Sequence, residues 1–196
     1  MRKFCFYVLL VVISGGLGGC AITVPTGSYI PQNYVRYENS GSVEVGPFVY
    51  LPLTQGKVKK ANELKNTALG TIHISSDVAE FVRRATALEF EKTGLQIKDS
   101  SNLLVTGEII EFTMDALGYS IDLIYSVKYI IRDKSTNSVL HSKVYTPSPK
   151  KAGKFGTADG FTENLNEQVV AGYDMFIRDQ AVRAILDRPA SGAAGY

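Results

Sequence analysis

The chain has no tryptophan, and only two cysteines, two histidines and three methionines among its 196 residues. Two cysteines cannot build a disulfide framework or a four-cysteine zinc site. Two histidines leave little material for a histidine-rich metal centre. An excess of one charge is missing too. The 21 basic and 19 acidic residues give a net charge of +2, too little for nucleic-acid binding through bulk charge. What the chain does have is apolar and aromatic material: 45% hydrophobic residues, including 11 tyrosines and 9 phenylalanines. That suffices for a packed core and excludes wholesale disorder. The length suits one domain with appendages.

The amino terminus is the most specific part. Arg2 and Lys3 precede an unbroken apolar run of ten residues, Phe4 to Ile13, and then the small-residue stretch Ser14-Gly15-Gly16-Leu17-Gly18-Gly19. The run is too short to span a bilayer as a helix. A basic start, a short apolar segment and slim residues near a cut form a secretory signal.

Leu17-Gly18-Gly19-Cys20 resembles a bacterial lipobox. In that family a peptidase cuts before the cysteine, whose thiol carries a diacylglycerol and whose new amine is acylated. The resemblance implies residues 1–19 as a cleaved lipoprotein signal peptide and Cys20 as the lipid attachment point. It also implies acyl chains, palmitate among them, in place of any other cofactor. An ordinary secreted protein with a cysteine at the end of its signal, or an uncleaved anchor, is the alternative. Each buried acyl CH₂ contributes about 0.8 kcal/mol, so two or more chains hold stably where one does not. By the same resemblance, Ala21 after the cysteine favours the cell outer membrane, with the protein facing the periplasm. Cleavage would take Cys5, Arg2 and Lys3 with it, leaving 177 residues with 19 basic and 19 acidic side chains and no free thiol. Cysteine nucleophiles and redox pairs are then excluded.

Residues 21–42 contain Pro25, Pro31 and scattered polar residues without a helical or strand period. Residues 20–42 therefore read as a lipidated cysteine and flexible tether, although Tyr29, Tyr34 and Tyr37 offer a way for it to dock. Residues 43–188 read as a single periplasmic domain and 189–196 as a disordered tail.

Within the domain, Val43 to Leu51 suggests a strand interrupted at Gly46-Pro47. The polar, lysine-rich stretch 54–69 reads as a loop. Asp77 caps a helix whose apolar face is Val78, Phe81, Val82, Ala85 and Leu88, ended by Gly94. Leu95 to Lys98 and Leu103 to Phe112 suggest strands. Ile121, Leu123, Tyr125, Val127, Tyr129 and Ile131 alternate with a wetter set, the cleanest period-2 signal in the chain. A turn at 133–137 leads into a strand over Val139 to Tyr145. Phe161 to Leu186 reads as one long helix, with Gly172 as a point of bending. The expected fold is α+β: a mostly antiparallel sheet with two helices packed on one face, a two-layer sandwich. The stretch from Asp77 through Gly94-Leu-Gln-Ile to Leu103-Leu-Val-Thr-Gly-Glu-Ile resembles the helix–Gly–strand–hairpin unit of YajG-like lipoproteins. Auxiliary lipoproteins of envelope transporters and the amino-terminal domain of TolB are similar at this level. The resemblance implies a membrane-held assembly or transport accessory, by analogy of fold.

The chemistry is sparse. His73 and His141 read as surface or loop residues without ligand-like companions, so no metal is expected. No Gly-x-Ser-x-Gly elbow occurs, and Gly56-Lys57 lacks the rest of a phosphate loop. Glu108 and Glu111, an odd separation apart, would lie on opposite faces of a strand. Glu89 and Glu91 read as solvated. No catalytic residue and no enzyme activity are expected. Lys57, Lys59, Lys60 and Lys65 form one basic cluster and Lys150, Lys151 and Lys154 another, both in expected loops. They are candidates for contact with an anionic surface such as lipopolysaccharide or peptidoglycan.

Two functions compete. One is a non-enzymatic accessory or docking module in envelope assembly or transport, with the membrane (through its lipid anchor) and other envelope proteins as partners and no nucleic acid. The alternative is a carrier or binding module for a lipid or other hydrophobic ligand. An enclosed apolar cavity would favour the carrier. A filled core with an exposed strand edge would favour docking.

Overall fold

The alternation of residues 121–131 becomes the longest strand of the sheet, with Leu123, Tyr125, Val127, Tyr129 and Ile131 fully buried on one face. The computed structural model describes residues 21–26, 29–32, 41–67, 70–115, 120–153 and 158–187. In chain order the elements are β1 (Ala21–Val24), β2 (Ser42–Tyr50), α1 (Leu51–Thr54), β3 (Glu63–Asn66), β4 (Thr71–Ile74) and α2 (Val78–Thr93). There follow β5 (Gln96–Ile97), β6 (Leu103–Asp115), β7 (Ser120–Asp133), β8 (Ser138–Tyr145), β9 (Lys150–Gly153), α3 (Ala158–Ile177) and α4 (Gln180–Leu186).

β6 and β7 form the long antiparallel centre, and β8 and β9 both pair with the far edge of β7. On the other side, the first half of β6 takes β2 in parallel and its last residues take β3 in parallel. β4 and then β1 extend the sheet beyond β3, and β5 extends it beyond β2. The fold is α+β: a nine-stranded mixed sheet whose long central ladders run antiparallel and whose short flanking ladders are mostly parallel. The two long helices cover one face.

α2 forms where the sequence places it. The Asp77 carboxylate accepts from the Ala79 and Glu80 amides at 2.7 and 3.2 Å, and Gly94 closes the helix at φ 96°. The expected single carboxy-terminal helix is two. Asp179 accepts from the Ala181 amide at 2.9 Å and caps α4 as a new helix, so the break falls there and not at Gly172. Gly172 serves close approach instead: a Cβ there would lie 2.7 Å from the Tyr125 ring.

Three short strands depart from the loops and tether read in the sequence. β3 lies inside 54–69 and buries only Leu64. β9 holds Lys150 and Lys151 and pairs with β7 through its backbone. β1 lies within the expected tether, yet it runs parallel to β4 in four-residue register. Val24 is buried, and the hydroxyl of Ser75 accepts from the Thr26 amide at 2.9 Å. Four-residue strands with at most one described buried side chain leave no readable period, and their partners are remote in sequence. Residues 1–19, Cys20, Lys154 and the tail 189–196 lie outside the described residues. No described helix is long and apolar enough to cross a membrane.

The sheet–helix interface is built on Tyr129. Its ring stacks on Phe176 at 4.3 Å between centroids, and its hydroxyl lies 3.2 Å from the Thr86 hydroxyl. Opposite it on β6 stands Gly107, over which the Phe48 ring lies; a Cβ on Gly107 would fall 2.2 Å from that ring. Gly107→Ala therefore forces an overpacked core and is expected to cost about 1–3 kcal/mol, read as a lower urea midpoint at unchanged slope.

Candidate functional site

The space between sheet and helices is filled by rings. Tyr125, Tyr129, Tyr173, Phe90, Phe112 and Phe176 are all fully buried. They meet mainly edge to face, for example Phe112 with Tyr125 at 5.0 Å and Phe90 with Tyr173 at 5.3 Å. Two open grooves flank the first half of α2.

The larger groove, about 500 Å³, runs between the cap Asp77 with Ala79, Glu80 and Arg83 of α2 and the bulged stretch 45–48 of β2. β5 covers the outer edge of β2 only at Ser42 and Val43, and the bond from the Lys98 amide to the Val43 carbonyl is the last across that edge. Beyond Val43 no described strand pairs with this edge, so backbone polar groups border the groove. Arg83 grips Glu80 with two bonds of 2.7 Å and holds its carboxyl below the usual carboxylate range. The smaller groove, about 180 Å³, lies between α2 and the amino-terminal segment, lined by Thr26, Tyr29, Ser75, Phe81 and Arg84.

That segment is held by a residue expected to be solvated. Glu89 is fully buried. The Tyr29 hydroxyl donates to its carboxylate at 2.6 Å and the Gln32 amide donates at 2.9 Å. Burial pushes the Tyr29 phenol well above its ordinary value, and the neighbouring Glu89 adds to this. The Tyr29 ring also meets Phe81 edge-on at 6.2 Å. Charge alone suggested water; the partner that buries Glu89 lies 60 residues earlier.

One histidine is placed differently and one falls on the expected strand. His73 is a buried residue of β4, not a loop residue. His141, on β8, lies 2.8 Å from the Tyr145 hydroxyl, which donates to Asp179 at 3.0 Å, while Lys143 donates to the same carboxylate at 2.7 Å. The Lys143 bond holds Asp179 down at about 2, and burial lowers His141 against the opposing pull of Asp179. This cluster clamps β8 to the cap of α4. No group of three or more potential metal ligands occurs among the described residues.

Glu108 and Glu111 share one face, contrary to the parity argument. A bulge between Ile109 and Glu111 resets the register, so the two oppose Lys128 and Ser126. Each is separately engaged: Lys128 donates to Glu108 at 3.2 Å, and Thr113 donates to Glu111 at 3.0 Å.

The lysines do not form one patch. Lys57, Lys59 and Lys60 are exposed between α1 and β3, where the Lys59 and Lys60 amides bond the Glu63 carboxylate. Lys65 sits on β3, 3.9 Å from Glu111. Lys150 pairs with Glu167 at 2.5 Å, and Lys151 is exposed on β9. Lys65 opposes Thr113 and, beyond it, Ile124, whereas Lys150 opposes Leu123. Adjacent residues of β7 face opposite ways, so Lys65 and Lys150 stand on opposite faces at the same end of the sheet.

No family model and no curated protein matches the sequence. Among solved structures, protein XCC0632 of Xanthomonas campestris, assigned to the family model DUF330, aligns with a TM-score of 0.61 at 12% identity. The match covers 85% of this chain and 94% of that one, and it establishes a shared fold. The PelC dodecamer of Paraburkholderia phytofirmans (TM-score 0.38, 10% identity, 70% and 90% covered) is more distant. So is lipoprotein GNA1162 of Neisseria meningitidis (0.30, 12%, 66% and 95%).

Two outcomes are expected. Tyr29→Phe leaves the buried Glu89 carboxylate short of a donor and costs about 1–3 kcal/mol, seen as faster hydrogen exchange at β1 and β4. Because the fold disfavours protonated His141, the unfolded chain binds that proton more readily. Its contribution is full above about pH 6.5 and is lost as pH falls below it. His141→Gln should flatten the stability profile between about pH 5 and 7.

Proposed function

We propose that the chain is a lipid-anchored envelope protein that acts as a non-enzymatic docking module for other envelope proteins. One observation carries the choice over a carrier of hydrophobic ligands. The space between sheet and helices is filled by interlocked aromatic rings, while the larger groove is open, bordered by Asp77, Glu80 and Arg83 and by a strand edge with which no described strand pairs beyond Val43. A carrier needs an enclosed apolar cavity of ligand size; an open groove beside an unpaired edge suits an extended segment of a partner protein.

The remaining parts of the reading rest on sequence. Cys20 carries the acyl chains, Ala21 directs the protein to the outer membrane, and Lys57, Lys59 and Lys60 remain available to peptidoglycan or lipopolysaccharide.

The test has two arms in intact cells. Cys20→Ser should remove the acyl mass from the protein and release it from sedimenting membranes. A photo-crosslinking residue at Ala79, in the groove, should give discrete protein adducts that are absent when the same residue replaces Thr136 on the distant β7–β8 turn. Lipid adducts alone at Ala79 would overturn the docking reading in favour of the carrier.

A further inference from the structure

The strand register fixes where an anchor at Cys20 would leave the fold, and this extends the lipid-anchored reading above. Ala21 opposes Thr71 of β4. One step past the Leu64–Ile72 pair, Lys65 of β3 lies beside Thr71. Lys65 opposes Thr113 of β6, which opposes Ile124 of β7. Ala21, Thr71, Lys65, Thr113 and Ile124 therefore form one row across the sheet. The next row toward the sheet end runs through Asn66, Met114, Leu123 and Lys150, and the one after it includes Asp115, Asp122 and Lys151.

Cys20 is bonded to Ala21, so its Cα lies about 3.8 Å from the start of β1. β1 is not loosely attached. It has a four-residue ladder to β4, Val24 is buried, the Ser75 amide donates to the Val24 carbonyl at 3.1 Å, and the Tyr29–Glu89 bond fastens the chain beyond it. Acyl chains on Cys20 must enter the bilayer, which brings their attachment point to the headgroup level. With no slack between that point and β1, the sheet end follows it there.

We infer that the end of the sheet carrying Ala21, Lys65, Thr67, Asp115, Lys150 and Lys151 lies against the phospholipid surface, with no tether between bilayer and domain. Lysines and aspartates are mixed at this end, so the acyl chains supply the affinity and the polar end supplies a surface compatible with headgroups. The opposite end, at the β7–β8 turn, then points away. Asp133 is nine residues along β7 from Ile124, which at about 3.3 Å per residue is roughly 30 Å. The groove beside β2 lies between these limits, since Phe48 shares a row with Gly107 and Tyr129. It would stand roughly 15–20 Å above the row of Ala21, on the same strand rise.

The mature chain lacks any other cysteine, so introduced cysteines take a label uniquely. The mature acylated protein, residues 20–196, bearing a fluorophore at Thr67→Cys, Lys151→Cys or Thr136→Cys would be placed in phosphatidylcholine vesicles containing a headgroup-quencher lipid. Several-fold stronger quenching at positions 67 and 151 than at 136 is expected. Adding Glu89→Gln, which weakens the fastening of the amino-terminal segment, should shrink that contrast. Equal quenching at the three positions in protein whose mass shows the acyl chains would overturn the orientation and leave the anchor standing. A mass without acyl chains would overturn the anchor and the orientation together.

Discussion

The fold depends on one buried contact layer, the aromatic sheet between β6–β7 and the helices. Tyr129 is its hub, stacked on Phe176, edge-on to Phe48 and touching Thr86. Rings this large fit only where the opposing backbone has no side chain. Gly107 makes room for Phe48 and Gly172 makes room for Tyr125. Gly107, in the sheet, yields space to a ring of the neighbouring strand β2, and Gly172, in a helix, yields space to a ring of β7. Close packing of this kind fills the space between the described strands and helices with side chains. It moves any binding function to the surface, which is why the groove beside β2 matters more than the apolar interior.

A second constraint acts at the rim. Glu89 is a carboxylate with no access to water, and an isolated buried charge is very costly. Two donors that compensate it, the Tyr29 hydroxyl and the Gln32 amide, come from the amino-terminal segment. Folding of α2 and docking of that segment are thereby coupled: the helix does not reach its lowest free energy until the segment covers it. The same segment closes the smaller groove and contributes β1. One acidic side chain in the middle of a helix thus helps decide whether residues 21–32 behave as a leash or as part of the sheet.

The sequence made the core legible and the rim illegible, for a physical reason. Long elements with many buried side chains imprint their period: the alternation over 121–131, the apolar face from Val78 to Ala85, and the Asp77 and Gly94 caps all appear in the fold as read. β1, β3 and β9 are held chiefly by backbone pairing, which any side chain permits, so lysine-rich or Pro-flanked stretches gave no sign of them. Parity failed for Glu108 and Glu111 because one bulge residue reverses the facing of everything beyond it. Glu89 and His73 were misplaced because burial of a polar group depends on partners remote in sequence. The break at Asp179 was within reach, since an aspartate two residues before an alanine amide can cap a helix, but the continuous apolar face of 165–177 masked it. The groove was not legible beforehand, because it needs the β2 edge and α2 side by side.

These points converge on the amino terminus. In a lipoprotein with a long tether, the anchor sets only how far the domain may wander, and any surface may meet a partner. Here the hydrogen-bond ladder begins at Ala21, one bond from Cys20. A joint that short transmits orientation as well as position. If Cys20 is acylated, the direction of β1 fixes the tilt of the sheet, and the sheet fixes the height of the groove beside β2. The buried Glu89 then has a consequence far from its own site: by holding residues 29–32 against α2, it keeps β1 in register. Height then constrains encounter as much as groove chemistry does, because two surface-bound proteins meet only where their binding sites stand at the same distance from the bilayer.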